Sequence, residues 1–340
     1  MSKADNPVLV EVLRGGRVES RHRGALAVCD ADGALVLALG DVAAPVFPRS
    51  AVKAFQALPL IESGAADRYG LTDAEIALAV ASHSGEPTHT ETARAMLAKC
   101  GRAPQALECG AHWPSSLEAG RALAAAGRTP GALHNNCSGK HAGFICLACA
   151  HGVDPAGYVA PDHFVQMEGA RVLREMTGAP IDERHRAIDG CAIPTYAIPL
   201  RALAHAFARF GAGVGLSATR AAAARRIRAA AAAHPVFVAG AGRFDTEIMR
   251  VLGARAFVKT GAEGVYCAAF PEQGLGVALK CDDGAGRAAE VAMGAMIARF
   301  VAMSESERAR LQPRFAPALA NWSGAAVGAL RPSAALDAGR

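Results

Sequence analysis

Two stretches of strand-like alternation bracket a long stretch of helical spacing. Residues 8–40 alternate as three strands, Val8–Leu13, Gly24–Cys29 and Ala34–Gly40, divided by Arg-Gly-Gly and Asp-Ala-Asp-Gly turn signals. From about Ser50 to Ala233 the apolar positions recur at helical spacing, as in Val52, Phe55, Leu58 and Ile61. Thr72-Asp-Ala-Glu75 reads as a capping box opening a helix to Ala79 or beyond. Glu91–Lys99, Ser116–Ala126, Gly139–Ala150, Asp162–Met176, Ile198–Phe210 and Thr219–Ala233 carry the same period, and the alanine run 229–233 is a helix interior. After Phe237 a short helix, Phe244–Leu252, precedes three more strand patterns, Ala256–Thr260, Gly264–Ala269 and Gly276–Cys281. An apolar-faced helix, Ala288–Met303, closes the pattern, and the tail after Pro313 shows none.

This order predicts an α/β (α+β) fold in which an antiparallel sheet from the N- and C-terminal segments is flanked by helices, with a helical region inserted. The whole chain, 1–340, reads as one domain with a sheet subregion at about 8–47 and 237–303 and a helical subregion at about 50–233. The active site is expected between the two subregions, where a strand-end lysine faces a helix-start serine.

Composition narrows the class. At 340 residues the chain can bury a large core, and hydrophobic residues reach 51% with aromatics at only 5%, as in a tightly packed globular enzyme. The formal charge of +5 is spread thinly, with no basic run carrying interleaved aromatics, which argues against nucleic acid as a partner. No stretch is long and apolar enough to span a membrane. The first six residues, Met1–Asn6, carry no apolar signal core, and the nine cysteines are an odd number, so reduced thiols in the cytoplasm are expected. Lysine usage is the sharpest compositional fact: of 36 basic residues only six are Lys, at 3, 53, 99, 140, 259 and 280. Arg stays protonated and Lys need not, so a retained Lys invites a chemical explanation.

Five blocks carry candidate chemistry. Phe47-Pro-Arg-Ser-Ala-Val-Lys53 puts Ser50 and Lys53 at i and i+3 behind a helix-starting Pro48. A serine needs a base beside it, and a neutral lysine is one if desolvation or a nearby cation lowers its pKa. The alternative is a capping serine and a surface lysine. Lys259-Thr-Gly261 occurs late in the chain, and Ser-x-x-Lys early with Lys-Thr-Gly late is the signature of penicillin-recognising acyl enzymes. The third block, Ala81-Ser-His-Ser-Gly-Glu86, follows an apolar run, so Ser82 and Ser84 are either loop chemistry or presented to a cleft. In His134-Asn-Asn-Cys-Ser-Gly-Lys-His141, Cys137 is open to three readings: thiol nucleophile, metal ligand or small buried residue. Cys191 in the fifth block, Asp189-Gly-Cys191, is a possible co-ligand. Cys146-Leu-Ala-Cys149 has paired spacing but sits in an apolar helix and reads as core packing.

Taken in order, these five blocks resemble the Rhizobium-type L-asparaginase family, related in fold to serine β-lactamases and glutaminases, over Val8 to about Phe300. The resemblance implies two serine–lysine tandems, Ser50 with Lys53 and Ser82 with Lys259. It implies one Zn²⁺ held by Cys137, Lys140 and Cys191 beside them, with Asp189 behind, and a homodimer. The implied reaction is hydrolysis of the L-asparagine side-chain amide through a lysine-activated serine. Arg49, by charge and place, and Asp189 are the substrate-binding candidates. A glutaminase, another Ser-x-x-Lys acyl hydrolase, and a ligand- or metal-binding sensor on the same scaffold are the rival readings.

Overall fold

The computed structural model describes residues 6–337. Residues 1–5, with Lys3 and most of the segment read as lacking a signal core, lie outside the described residues. The chain forms two compact units: Val52–Ala197 with Leu216–Arg250, and Met1–Ala51 with Ile198–Gly215 and Val251–Arg340.

The first unit is helical. Helix α1 (Asp73–Ala79) begins at the capping box read from sequence: Glu75 N–H donates to Thr72 Oγ1 at 3.3 Å, and Thr72 N–H to Glu75 Oε2 at 2.7 Å. The Glu75 carboxylate is nearly buried and takes Lys99 Nζ at 2.6 Å, so this lysine has an ionic role. Helices α2 (Pro87–Lys99) and α3 (Ser138–Ala150) pack side by side. The first eleven residues of α3 are all buried. Gly139 makes this possible, because a Cβ there would strike the Leu78 carbonyl and side chain.

The second unit is an eight-stranded sheet, antiparallel at every pairing. Its strands are β1 (Val8–Arg14), β2 (Arg17–Asp30), β3 (Leu35–Leu39), β4 (Phe257–Thr260), β5 (Val265–Phe270), β6 (Leu275–Cys281), β7 (Ala318–Ala320) and β8 (Ala326–Pro332). The order is β7-β8-β1-β2-β6-β5-β4, and β3 pairs with Leu26–Cys29 of β2, the stretch that β6 holds on the other edge. The sheet is therefore built from both ends of the chain, as the alternation predicts. Helix α4 (Leu200–Ala212) lies against β2, β5 and β6, and α5 (Gly286–Phe300) against β5 and β6 as well. All six residues of β5 are buried, so the central strands are covered on both faces.

Three departures from the sequence reading have physical causes. The tail after Pro313 is not featureless, since it supplies the edge strand β7 and its neighbour β8; with only Leu330 of the two strands buried, they show no alternation of buried and exposed positions. Strand β2 begins at Arg17, seven residues before its apolar part, because Arg17–Arg23 pairs only with β1 and, apart from the buried His22, is exposed or half-exposed. Helix α4 packs in the sheet unit although its period matches the helices before it. Among the described residues no helix is long and apolar enough to cross a membrane.

Gly276 of β6 is the close-approach point for α4: a Cβ there would collide with Ala204 O and Ala208 N. Gly276→Ala is expected to lower stability by roughly 1–3 kcal/mol, the usual cost of overpacking. The urea midpoint measures it, and an unchanged midpoint would show that the contact does not matter.

Candidate functional site

Pro48 leads the chain into a 3₁₀ turn, Arg49–Val52, and Lys53 opens the short helix that follows, Lys53–Gln56. Arg49 sits at φ 52°, a left-handed conformation that costs a non-glycine residue about 1–3 kcal/mol. That strain sits immediately before Ser50, which is half-buried. In the same unit, β4 ends in Lys259-Thr-Gly261, and a Cβ on Gly261 would come within 2.6 Å of Pro48 O. The Lys-Thr-Gly block is thus packed against the segment that presents Ser50. Lys259 is fully buried and donates to Thr260 O at 2.9 Å.

In the helical unit, α1 runs into a loop whose residues Val80–Ser84 are all buried. Ser82 N–H donates to Val238 O at 2.9 Å. Lys53, 1% exposed, reaches this loop: its Nζ donates to Ala81 O at 2.5 Å and lies 3.0 Å from Ser82 Oγ. Burial pushes the Lys53 amine below its ordinary pKa; Cys137 opposes the shift and Lys140 adds to it.

The N-terminal turn of α3 supplies Cys137 and Lys140, and the Asp189–Cys191 turn supplies Cys191; all three are buried. Lys140 Nζ lies 3.1 Å from Cys191 Sγ. Ala192, at φ 73°, follows Cys191 and helps fix its direction. Cys137 is drawn well below an ordinary thiol by its bond with Cys191 and by Lys53 and Lys140, against the effect of burial. Cys191 is pushed up by the same bond and by burial. The two sulfurs are thus driven apart, Cys137 toward the thiolate and Cys191 toward the thiol. Burial lowers Lys140, but Cys137, Cys191 and Asp189 outweigh it and leave its amine raised. Asp189 is half-buried and its carboxylate accepts from Gly190 N–H at 2.6 Å.

These residues fit the zinc ion that the resemblance implies. Two thiols and an amine converge in a dry place, and one thiol is shifted toward the ionised form that a zinc ligand takes. Among the described residues no group of three or more His, Cys, Asp and Glu side chains could hold a metal ion. The third donor here is an amine, so the set falls outside that pattern.

Sequence reasoning passed over two histidines as ordinary. His83 Nδ1 accepts from Gly85 N–H at 3.1 Å, so its Nε2–H donates to Ser138 Oγ at 2.9 Å. This ties the Ser82 loop to α3, and burial keeps the ring neutral. His141 Nδ1 meets Tyr158 OH at 2.7 Å, and its Nε2 is buried without a partner. Both belong to blocks already singled out, and their position inside those blocks was the available signal. A cavity of about 580 Å³ lies beside the same loop, lined by Ser84, Glu86, Ser116 and Arg243 among others.

A desolvated lysine held against a serine hydroxyl is the equipment of a serine–lysine acyl hydrolase. The chain belongs to the L-asparaginase II family, whose profile matches residues 10–332, and is an enzyme of that amidohydrolase kind. No curated protein matches significantly. Among solved structures, a β-lactamase from Mycobacterium bovis is similar at 14% identity over 82% of this chain and 95% of its own, with a TM-score of 0.42.

The contact between Gly261 and Pro48 yields a test. Gly261→Ala must displace the segment before Ser50, and ångström-scale misplacement of a reacting group costs about 10- to 100-fold in rate. Amide-hydrolase kcat is expected to fall by that much with the urea midpoint little changed; full activity would mean that the two segments do not depend on each other.

Proposed function

We propose that this chain is an L-asparaginase that hydrolyses the side-chain amide of L-asparagine to L-aspartate and ammonia. The observation that carries the reading is Lys53, a buried amine with a lowered pKa, one turn from Ser50 and hydrogen-bonded to Ser82. Family membership supports the amide chemistry.

Ser50 Oγ attacks the side-chain amide carbon while Lys53 accepts its proton. Backbone N–H groups stabilise the oxyanion. The proton passes to the leaving nitrogen, ammonia departs, and water hydrolyses the aspartyl ester with the lysine again as base. Ser82 and Lys259 complete the catalytic set. Arg49 holds the substrate carboxylate and Asp189 its ammonium. Cys137, Lys140 and Cys191 hold one zinc ion, which when bound supplies a fixed positive charge that orients the polar substrate. The protein works as a homodimer in the cytoplasm.

Lys53→Arg separates a chemical lysine from a merely positive one, because arginine has no accessible neutral form. Asparagine-dependent ammonia release should lose roughly 10²- to 10⁴-fold in kcat, the usual worth of general-base catalysis. In the wild type, kcat/KM should rise with pH through an amine pKa below the ordinary ~10.4, since the lowered Lys53 must lose its proton to act. A variant within a few-fold of wild type would refute the base role. Faster release from glutamine, or turnover of a β-lactam instead, would reassign the substrate.

The zinc reading predicts near-stoichiometric metal in protein purified without added zinc, and its loss in Cys137→Ala. Without metal the set carries protons on Cys191 and Lys140. Zinc binding then releases two protons, and affinity should fall by about 100-fold per pH unit on acidification. Chelator competition at two pH values measures this, and a pH-independent affinity would exclude these ligands.

A further inference from the structure

Three thiols that the hydrolase chemistry does not use meet at the far ends of α2 and α3. Cys100 caps the C-terminus of α2, and Cys146 and Cys149 lie one turn apart near the C-terminus of α3. Cys100 Sγ packs on Leu97 O at 3.2 Å and Cys146 Sγ on Met96 O at 3.5 Å, so two sulfurs from different helices sit on consecutive carbonyls. Cys146 and Cys149 are near enough to Cys100, and Arg102 to Cys149, to shift one another's titration. Cys100 and Cys149 are partly exposed and Cys146 is buried. The other buried thiols away from the lysine site, Cys29, Cys267 and Cys281, are raised by burial and have no thiol partner of this kind.

We propose that Cys100, Cys146 and Cys149 form an oxidation site for hydroperoxides, in which Cys100 is the attacking sulfur and Cys149 the resolving one. The cluster gives each sulfur a different task. The influence of the neighbouring Cys146 thiol outweighs burial and draws Cys100 to about 7. Burial raises the Cys149 thiol, which keeps it protonated while Cys100 attacks, and Arg102 partly offsets that burial. Cys100 attacks the terminal peroxide oxygen: the S–O bond forms, the O–O bond breaks, and the alkoxide leaves as an alcohol after taking a proton. Cys149 then attacks the Cys100 sulfur: the S–S bond forms, the S–O bond breaks, and hydroxide leaves with a proton as water. Two thiols are oxidised by two electrons in all, and one hydroperoxide is reduced to an alcohol and water.

The product would pin α2 to α3 at one end. His83 and Ser138 already tie the segments leading into these helices at the other end, beside Ser82 and Cys137. The modification would therefore clamp the helix pair that carries the hydrolase residues of this unit.

The test uses the protein as purified, treated with one equivalent of hydrogen peroxide near neutral pH, alkylated, and digested with trypsin without reduction. Peptide 100–102 should appear joined to peptide 141–171, two hydrogens lighter than their sum, before any other cysteine is oxidised. In Cys149→Ser the link should vanish and Cys100 should be trapped by dimedone as a sulfenic acid. In untreated wild type, which depends on no variant folding, Cys100 should be alkylated roughly threefold faster than a cysteine of ordinary pKa, the gain in thiolate partly offset by lower nucleophilicity. Free Cys100 after peroxide, earlier oxidation of Cys137, or an unchanged link in Cys149→Ser would each overturn the assignment. So would a second bound zinc that is lost in Cys100→Ser.

Discussion

The removal of lysine amines from water sets the terms for the chemistry available to this chain. Lys53, Lys140 and Lys259 are 1%, 3% and 0% exposed, and a buried ammonium persists only where a partner compensates for lost hydration. Lys140 has such partners in Cys137, Cys191 and Asp189, and its amine is raised. Lys53 has a carbonyl and a hydroxyl within bonding distance, and its amine is lowered. Two chemically identical side chains are thus driven apart by their surroundings, one toward holding charge and the other toward taking a proton. Such splitting of like groups identifies acid and base roles.

Groups this dependent on position need a stiff frame, and the frame is stored partly as backbone strain. Among the described residues, the non-glycine residues with positive φ are Arg49, Ala192 and Glu263. The first precedes Ser50, the second follows Cys191, and the third lies between Gly261 and Gly264. Two of them have close packing or a hydrogen bond beside them. Gly261 packs on Pro48 O, and the Ala192 N–H donates to Asp189 O at 2.9 Å inside the cysteine turn. Strain retained beside reactive side chains is what a site pre-organised for charge development requires.

Much of this was legible before any coordinates. The sheet from both chain ends followed from alternation at 8–40 and 256–281, and the Thr72–Glu75 box appeared where its spacing placed it. The shortage of lysine was the most informative signal for the site: the three lysines inside motifs are the three that are buried, while Lys99 and Lys280 pair with a carboxylate and with carbonyls near the surface. What failed had no local signature. The strands after Pro313 bury only Leu330, and α4 has the same period whichever unit it packs in. The three-thiol cluster needs two helices side by side, so Cys146-x-x-Cys149 alone read as core packing. Neither the neutral state of His83 nor the left-handed Ala192 is written in residue identity.

The thiol pair and Lys53 are not independent. The Cys137 thiolate raises the Lys53 amine, while the Lys140 ammonium lowers it. Through a dry interior these charges act with little screening, so their sum, more than either alone, fixes how readily Lys53 gives up its proton. Protonating Cys137 would remove the opposing influence and lower Lys53 further, and any cation held by the two sulfurs would do the same. The amine is therefore neutral more of the time, though intrinsically less basic, when the negative charge of the thiol pair is neutralised than when it is bare. The net charge of the Cys137–Lys140–Cys191 set thus acts on the Lys53 amine through the dry interior, without any bond between Lys140 or Cys191 and that amine being required.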